Sequence, residues 1–266
     1  DVGIAEGHAV AMAAGMAKQG LTPVVAIYSS FLQRAYDQLI HDTALSDLHV
    51  VFAVDRAGMV GEDGETLHGI FDATFLSEIP NMTVLCPSNF AELRTMLDRA
   101  VNEIKGPVAI RYPRGNGAGV AWREEPFAAM EIGRGRCLKE GERIAVLTIG
   151  TVGNFASEAI ARMEADGIRV AHYDLRFAKP LDQELLHEVG RKFRCVVTVE
   201  DGALRGGVGE AVVAFFCEHG YLPKVVSLGI PDRFVEHGTP AQLYAQCGYD
   251  AEGIYRTLKS LQESLQ

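Results

Sequence analysis

Short apolar runs alternate with amphipathic segments along the first half of the chain, and glycines and prolines stand at the junctions. This alternation is typical of parallel α/β layers, in which strands buried on both faces are short runs of Val, Ile and Ala. Pro87 and Ser88 are expected to cap the last helix of this region. The predicted strands are residues 2–5, 23–28, 49–54, 82–86 and 107–111, and the predicted helices are residues 8–18, 31–45 and 89–103.

The pattern breaks between residues 116 and 141, where Gly, Arg and Glu surround the single tryptophan, Trp122. Such a break indicates an interdomain linker, which we place at residues 120–141. The predicted fold class is α/β, with two three-layer α/β/α domains at residues 1–119 and 142–266 and mostly parallel sheets. In the second domain the predicted strands are residues 144–149, 168–174, 195–199 and 225–228, and the predicted helices are residues 154–166, 182–192, 209–219 and 249–265.

Composition excludes several classes of protein. Hydrophobic residues make up 48% of the 266 residues, which is enough for a sizeable core. The 35 acidic residues exceed the 25 basic ones, and the net charge of −10 would repel a nucleic acid. No uncharged apolar stretch reaches the ~18 residues that a membrane span requires, so no membrane partner is expected. The five cysteines are widely spaced and odd in number, which favours free thiols in a reducing, cytoplasmic compartment.

Polar side chains follow the predicted strands of the first half, at the sheet edge where open α/β folds bind ligands. One tyrosine and four arginines are expected to converge there: Tyr28, Arg34, Arg56, Arg111 and Arg114. Because a guanidinium group matches anionic oxygens in a bidentate way, this set predicts a site for a small phosphorylated ligand. The alternative is that each arginine pairs with a nearby acid, such as Asp37, Asp55 or Glu62.

Two further side chains near this edge suit a heteroaromatic ligand. Glu6 lies between a predicted strand end and a glycine that opens a helix, where burial would favour sharing a proton with a ring nitrogen. Its alternative role is that of an acidic partner of the helix dipole. Phe31 follows two serines and is expected either to stack on a ring or to anchor its helix in the core.

Four ordered motifs surround these residues: residues 1–9, residues 26–38, Asp55-Arg56-Ala57-Gly58 and Arg111-Tyr112-Pro113-Arg114-Gly115. Together they resemble the 1-deoxy-D-xylulose-5-phosphate synthase family. The similarity continues through residues 175–182, 198–201 and 229–232 and covers essentially the whole chain. It implies a transketolase-like fold, with an N-terminally incomplete pyrimidine-binding domain at residues 1–119 and a transketolase C-terminal domain at residues 142–266.

The resemblance also implies a reaction. Members of this family use thiamine diphosphate and Mg²⁺ to condense pyruvate with glyceraldehyde 3-phosphate, releasing carbon dioxide. The product, 1-deoxy-D-xylulose 5-phosphate, is a precursor of isoprenoids, thiamine and pyridoxal. In the family two subunits share each site, which implies a homodimer.

Site residues follow from the same resemblance. Glu6 matches the catalytic acid that contacts the aminopyrimidine ring of the cofactor, and Phe31 matches the aromatic residue that stacks on this ring. The implied substrate-binding residues are Tyr28, Arg56 and Arg114 around the acceptor's phosphate, and Arg34 and Asp63 near its hydroxyls and the reacting centre.

The chain departs from the family pattern at two positions. Gly7 replaces the usual glutamine beside Glu6, a change that is expected only to adjust helix entry. Leu67 stands where the family usually has a histidine that handles protons, and His68 follows it. A small loop shift would let His68 take over this catalytic role. The alternative is that His68 is only a hydrogen-bonding residue behind the site.

The family's diphosphate and magnesium site lies in an N-terminal domain, whose Gly-Asp-Gly motif with a downstream Asn is not found here. The chain also begins with Asp1 rather than Met. We therefore expect a fragment without metal ligands of its own, which also lacks the first strand and helix of the pyrimidine-binding domain. It should bind thiamine diphosphate well only when the rest of the polypeptide or a separate subunit supplies the N-terminal domain.

Other interpretations compete with this one. A transketolase or the β subunit of a 2-oxo-acid dehydrogenase would share Glu6, although transketolases usually have Thr-His-Asp where this chain has Val54-Asp55-Arg56. A non-catalytic homologue that binds a sugar phosphate would explain Leu67. In the second domain, residues 206–209 resemble a phosphate-binding loop only weakly, and the histidines are not at metal-ligand spacing. We expect that domain to serve dimerisation and closure over the site.

Overall fold

The computed structural model describes residues 1–116, 122–124 and 126–265. Its first half contains the predicted alternation of helices and strands, with a series of short helical turns in place of one continuous second helix. The elements are α1 (Glu6–Lys18), β1 (Val24–Tyr28), α2 (Ser29–Leu32), a 3₁₀ turn (Gln33–Ala35), α3 (Tyr36–Gln38), a π-helical turn (Leu39–Ala44), β2 (Val51–Asp55), α4 (Asp72–Glu78), β3 (Thr83–Leu85), α5 (Phe90–Asn102) and β4 (Val108–Arg111).

The second half continues the alternation, which confirms the predicted α/β class. Its elements are β5 (Arg136–Lys139), β6 (Ile144–Ile149), a 3₁₀ turn (Gly150–Val152), α6 (Gly153–Ala165), β7 (Ala171–Asp174), β8 (Phe177–Lys179), α7 (Gln183–Lys192), β9 (Cys195–Ala203), α8 (Val208–Glu218), β10 (Lys224–Ile230), α9 (Pro240–Cys247) and α10 (Ala251–Ser264). Within the described residues, no helix has the length and apolar character needed to cross a bilayer.

The first sheet has the strand order β1-β2-β4-β3-β8, and only β8 runs antiparallel to its neighbour. Its register pairs Tyr28 with Asp55 and Val54 with Arg111, so the ends of β1, β2 and β4 lie side by side. Because these strands run in one direction, the segments that follow them leave from the same edge. The segments that contain the predicted site residues therefore meet there.

The second sheet has the order β10-β9-β6-β7-β5, and only β5 is antiparallel. The two halves are joined in two ways. Strand β8, from the second half, pairs with β3 of the first sheet, and one buried core includes Phe52 and Val84 from the first sheet and Leu147 and Tyr173 from the second. This shared strand and core fix residues of the second half relative to the strand ends of the first.

One predicted strand is absent, and the predicted linker contains a strand. Residues 2–5 form no strand, because Gly3 has a left-handed backbone (φ 59°) and its N–H donates to Asp1 Oδ1 (2.8 Å). Glu6 is therefore the first residue of α1 rather than a residue between a strand and a helix. The predicted linker contains β5, which pairs with β7, so the second sheet begins before residue 142.

Helix ends also differ from the predictions. Asn89, rather than Pro87 and Ser88, caps α5, because its side chain accepts a hydrogen bond from the Glu92 N–H (2.9 Å). Helices α4 and α9 were not predicted. Each is short, with 7 and 8 residues, so the apolar pattern repeats over too few turns to indicate a helix.

Candidate active site

The ends of β1, β2 and β4 bring five predicted site residues into one chain of contacts. Tyr28, the last residue of β1, stacks on Phe31 with ring centroids 5.3 Å apart. The guanidinium carbon of Arg56 lies 3.9 Å from the centre of the Tyr28 ring, a cation–π contact. Asp63 Oδ2 lies 3.6 Å from Arg56 Nη1 and 3.2 Å from Arg114 Nη1. The contacts thus run from Phe31 through Tyr28, Arg56 and Asp63 to Arg114.

The charges in this chain of contacts do not balance, because one carboxylate faces two guanidinium groups. The side chains of Arg56, Asp63 and Arg114 are 26%, 33% and 48% exposed, so solvent reaches all three. Both arginines share the same oxygen of Asp63, and no other described acid pairs with either of them. Their remaining N–H donors are available to a bound anion. The acids named as alternative partners in the sequence analysis form none of these pairs.

Arg56 starts a loop, residues 56–69, that closes on itself. Its backbone is left-handed (φ 57°), which is uncommon for a residue with a side chain, and its N–H donates to Asp55 Oδ1 (2.7 Å). Gly58 and Gly69 exchange two backbone hydrogen bonds of 2.6 and 2.8 Å at the base of the loop. The strained backbone at Arg56 aims its side chain across the end of β1, toward Tyr28.

Glu6 and Phe31 fit a heteroaromatic ring such as the pyrimidine of thiamine diphosphate. Glu6 is 8% exposed, and none of the described residues donates a hydrogen bond to its carboxylate. A nearly buried acceptor of this kind gains stability when a ligand supplies the donor. Phe31 is 38% exposed although it stacks on Tyr28, so part of its ring is open to a ligand. Arg34, close by on the 3₁₀ turn, is exposed.

Arg111 is not part of the open site, contrary to the sequence prediction. Its side chain is 5% exposed, and its Nε and Nη2 donate to the two carboxylate oxygens of Asp72 at 2.9 and 3.0 Å. Nη2 also donates to the backbone carbonyl of Asp201 (2.9 Å). Burial is the largest single influence and would lower the pKa of Arg111, but the charge and hydrogen bonds of Asp72, together with the charges of Cys86 and Asp201, raise it above its ordinary value. Arg111 therefore stabilises the fold beneath the site.

His68 lies behind the site. It is 3% exposed, its Nδ1 accepts a hydrogen bond from the Val60 N–H (3.2 Å), and its Nε2 lies 3.4 Å from the Glu236 carbonyl oxygen. The tautomer that suits both contacts is the neutral one with the proton on Nε2. Because backbone groups occupy both ring nitrogens, the geometry supports the hydrogen-bonding role over proton transfer.

Sequence reasoning missed the buried acids that organise this edge, Asp72 and Asp201. Asp201 Oδ1 accepts hydrogen bonds from the Met59 N–H (3.0 Å) and from the Tyr249 hydroxyl (2.9 Å). Burial raises the pKa of Asp201, and the nearby Arg111 opposes this shift. Two signals were available in the sequence: Asp201 belongs to the 198–201 motif, and Gly58 has a left-handed backbone (φ 82°) at which any Cβ would clash with the Asp201 carboxylate.

The glycine cluster at residues 206–209 holds a carboxylate of the protein itself. Glu200 accepts hydrogen bonds from the N–H groups of Val208 (3.0 Å) and Gly209 (2.9 Å) at the start of α8. A Cβ on Gly207 would lie 2.6 Å from Glu200 Oε2, so this approach requires glycine. The donors that would cradle a phosphate are therefore occupied by an internal anion.

Three of the four histidines of the second half, His172, His187 and His219, have local partners. His172 Nε2 lies 2.9 Å from Thr148 Oγ1, and His187 Nδ1 lies 2.9 Å from the Tyr221 hydroxyl. In the parts of the chain that the structure describes, no group of three or more His, Cys, Asp or Glu side chains is arranged to hold a metal ion.

Two family models match the chain, the transketolase pyrimidine-binding domain over residues 1–119 and the transketolase C-terminal domain over residues 133–254. A 1-deoxy-D-xylulose-5-phosphate synthase from Bacteroides fragilis is 57% identical over 259 residues, and one from Bacteroides thetaiotaomicron is 55% identical over 259 residues. Each match covers 97% of this chain and 40% of the relative. The chain thus spans about 40% of the length of these curated relatives.

A solved structure described as a split gene transketolase, inactive beta4 tetramer, has the same fold, with a TM-score of 0.87 and 33% sequence identity. The match covers 97% of this chain and 82% of that one, so it includes both sheets and the strand β8 that joins them. The family models, the relatives and the solved structure agree: the chain belongs to the transketolase family, its halves correspond to the family's pyrimidine-binding and C-terminal domains, and its relatives include 1-deoxy-D-xylulose-5-phosphate synthases.

Proposed function

We propose that the protein containing this chain is a thiamine-diphosphate-dependent transferase that condenses pyruvate with glyceraldehyde 3-phosphate to form 1-deoxy-D-xylulose 5-phosphate and carbon dioxide. Relatives with this name at 55% and 57% identity support the assignment. Within the chain, the observation that carries it is the excess of guanidinium over carboxylate around Asp63. A phosphorylated acceptor supplies the missing negative charge, whereas an acceptor without phosphate leaves it unmet.

Each residue of the contact chain has a role in this proposal. Arg56 and Arg114 bind the acceptor's phosphate, and the stacked Tyr28 holds the Arg56 guanidinium in position. Arg34 and Asp63 lie near the acceptor's hydroxyl groups and aldehyde. Since Asp63 already touches both arginines, an acceptor that contacts all three is held in one orientation toward the cofactor.

Thiamine diphosphate, when bound, supplies the carbanion chemistry that decarboxylation of pyruvate requires. We assign Glu6 as the catalytic residue of this chain, with its carboxyl group hydrogen-bonded to the pyrimidine ring and Phe31 stacked against that ring. The low exposure of Glu6 limits competition from water for this hydrogen bond. His68 acts as a positioning residue for the 56–69 loop. Groups that bind the diphosphate and Mg²⁺ belong to the portion of the relatives that this chain does not span.

We also infer a cytoplasmic homodimer. Four apolar residues in α1, the segment after it and the start of β1 are open to solvent, with Met12 48%, Met16 39%, Leu21 55% and Val24 50% exposed. Exposed apolar side chains of this kind are suited to burial against another protein surface. Each of the five cysteines is free, which suits a reducing compartment. Light scattering on the complete protein measures the proposed stoichiometry, and a monomer would contradict it.

The test of the proposed reaction is turnover by the complete protein. Carbon dioxide release and sugar phosphate formation are measured from pyruvate, glyceraldehyde 3-phosphate, thiamine diphosphate and Mg²⁺, for the complete protein and for residues 1–266 alone. We expect product only from the complete protein and a loss of about 10³-fold in rate for Glu6→Gln, within the usual range for a removed acid–base group. Binding of sugar phosphate without carbon dioxide release would instead establish the non-catalytic alternative.

A further inference from the structure

The 56–69 loop contains Arg56 and Asp63 but is held in place by the second half of the chain. At its base, the Met59 N–H donates to Asp201 Oδ1 (3.0 Å). Toward its tip, the Gly61 carbonyl accepts a hydrogen bond from the N–H of Gly238 (3.4 Å). The Nε2 of His68, in the same loop, also lies 3.4 Å from the Glu236 carbonyl oxygen. The loop is therefore attached at three points to residues of the second half.

The attachment at Asp201 is the one that uses a buried carboxylate. Asp201 is 6% exposed, and the Tyr249 hydroxyl donates to the same oxygen that binds the Met59 N–H (2.9 Å). On the backbone side, the Asp201 carbonyl accepts a hydrogen bond from Arg111 (2.9 Å). These contacts fix Asp201 at both its side chain and its main chain, so it is a rigid point for the loop.

Met59, the loop residue that binds Asp201, is close in sequence to both Arg56 and Asp63. Met59 is three residues after Arg56 and four residues before Asp63, the two loop residues of the contact chain. The Asp63 ion pairs are long, at 3.2 and 3.6 Å, and involve partly exposed side chains. Pairs of this kind contribute little to holding a loop. A buried hydrogen bond to a carboxylate is stronger, so the position of Asp63 depends on Asp201 more than on its own arginine partners.

We propose that Asp201 is a positioning residue for the acceptor site, whose carboxylate fixes the 56–69 loop so that Asp63 meets Arg56 and Arg114 in the geometry that receives the phosphate. This proposal rests on the proposed function for the identity of the ligand. Both acids of the Thr198-Val199-Glu200-Asp201 motif then have a role. Glu200 accepts hydrogen bonds from the N–H groups at the start of α8, and Asp201 holds the loop.

Three variants test this role in the complete protein. Asp201→Ala removes the acceptor, and Asp201→Asn keeps an acceptor oxygen and serves where the alanine variant fails to fold. Asp182→Ala is the matched control. Asp182 is also 6% exposed and accepts hydrogen bonds from the N–H groups of Leu185 (3.1 Å) and Gly135 (3.0 Å), but no described contact joins it to the 56–69 loop.

Two readouts are needed, hydrogen exchange of the amides of residues 57–69 and the KM for each substrate. We expect Asp201→Ala to raise both the loop exchange rate and the KM for glyceraldehyde 3-phosphate about tenfold, the effect of losing one charge-assisted hydrogen bond. The KM for pyruvate should change less than about twofold, Asp201→Asn should fall between wild type and Asp201→Ala, and Asp182→Ala should alter neither readout.

Unchanged loop exchange in Asp201→Ala, or equal effects of Asp201→Ala and Asp182→Ala, would overturn the proposal. Wild-type protein that forms no 1-deoxy-D-xylulose 5-phosphate would instead overturn the proposed function. In that case loop exchange, together with binding of inorganic phosphate in place of the acceptor KM, decides the role of Asp201.

Discussion

Arg111 and Arg114 stand three residues apart in one motif, and the fold gives them opposite environments. Arg111 ends β4, is 5% exposed and is bonded to both carboxylate oxygens of Asp72. Arg114 is 48% exposed and shares a single oxygen of Asp63 with Arg56. Because the side chain is the same, the difference comes from burial and from the number of acceptors supplied by the protein.

This contrast separates a structural arginine from one whose donors remain available to a ligand. A buried guanidinium must be fully paired, since an unpaired buried charge is strongly destabilising, and its donors are then not available to a ligand. An exposed guanidinium that shares its acidic partner with another arginine destabilises the fold little, and some of its N–H groups remain free to bind a ligand. The number of unmatched positive charges at the strand ends, rather than the number of arginines, therefore indicates where a phosphate binds.

The largest expected effect comes from breaking the buried pair. Arg111→Met leaves Asp72 buried without its counter-ion and should lower the free energy of unfolding by about 3–5 kcal/mol. Urea denaturation followed by circular dichroism measures this loss. Adding Asp72→Leu removes the orphaned charge and should recover most of it. A loss below about 1 kcal/mol in the single variant would show that Arg111 is not a structural residue.

The second largest effect concerns His172, a buried base without a counter-ion. Burial, aided by the positive charge of Arg136, lowers the pKa of His172 to about 4. The folded pKa lies below the unfolded value, so the stability from the neutral ring is complete above about pH 6.5 and is lost as the pH falls toward 4. The free energy of unfolding should fall by about 3 kcal/mol over this range, because each unit of pKa difference corresponds to about 1.4 kcal/mol.

The measurement for His172 is the free energy of unfolding of wild type and His172→Asn at several pH values between 4 and 7. The asparagine keeps a polar partner for Thr148 but does not titrate. Wild type should lose stability relative to the variant as the pH falls through this window. Parallel pH profiles for the two proteins would contradict the buried neutral state of His172.

The smallest effect concerns the strained backbone of Arg56. Arg56→Ala and Arg56→Gly both delete the side chain, but only glycine adopts the left-handed backbone (φ 57°) without steric cost. The glycine variant should therefore be more stable than the alanine variant by about 1 kcal/mol in thermal or urea unfolding. Equal stabilities would mean that the loop relaxes and that Arg56 is not held in this conformation.

Sequence patterns predicted the parts of this structure that depend on local periodicity. Residues 144–149 were predicted as a strand and form β6 with the same bounds, because a short run of five apolar residues and Thr148 is typical of a strand buried on both faces. Strand β5 was missed because its four residues are exposed or half-buried at a sheet edge and form no apolar run.

The site was predictable only where the motif itself supplies the chemistry. The motifs indicated Tyr28, Arg56 and Arg114, and the fold brings them together at the strand ends. The fate of Arg111 was not predictable, because its partners Asp72 and Asp201 are 39 and 90 residues away along the chain. The Asp72 pair forms by packing within the first half and the Asp201 contact by packing of the second half against it, and local periodicity carries information about neither.

The central claim is that the exposed arginines at the strand ends select a phosphorylated acceptor. Its most direct test is the ratio of kcat/KM for glyceraldehyde 3-phosphate to that for unphosphorylated glyceraldehyde, measured in the complete wild-type protein and in Arg114→Met. We expect the ratio to fall about a hundredfold in the variant, which corresponds to about 2.7 kcal/mol of lost phosphate binding, with unchanged thermal stability. An unchanged ratio would contradict the claim and place the phosphate elsewhere.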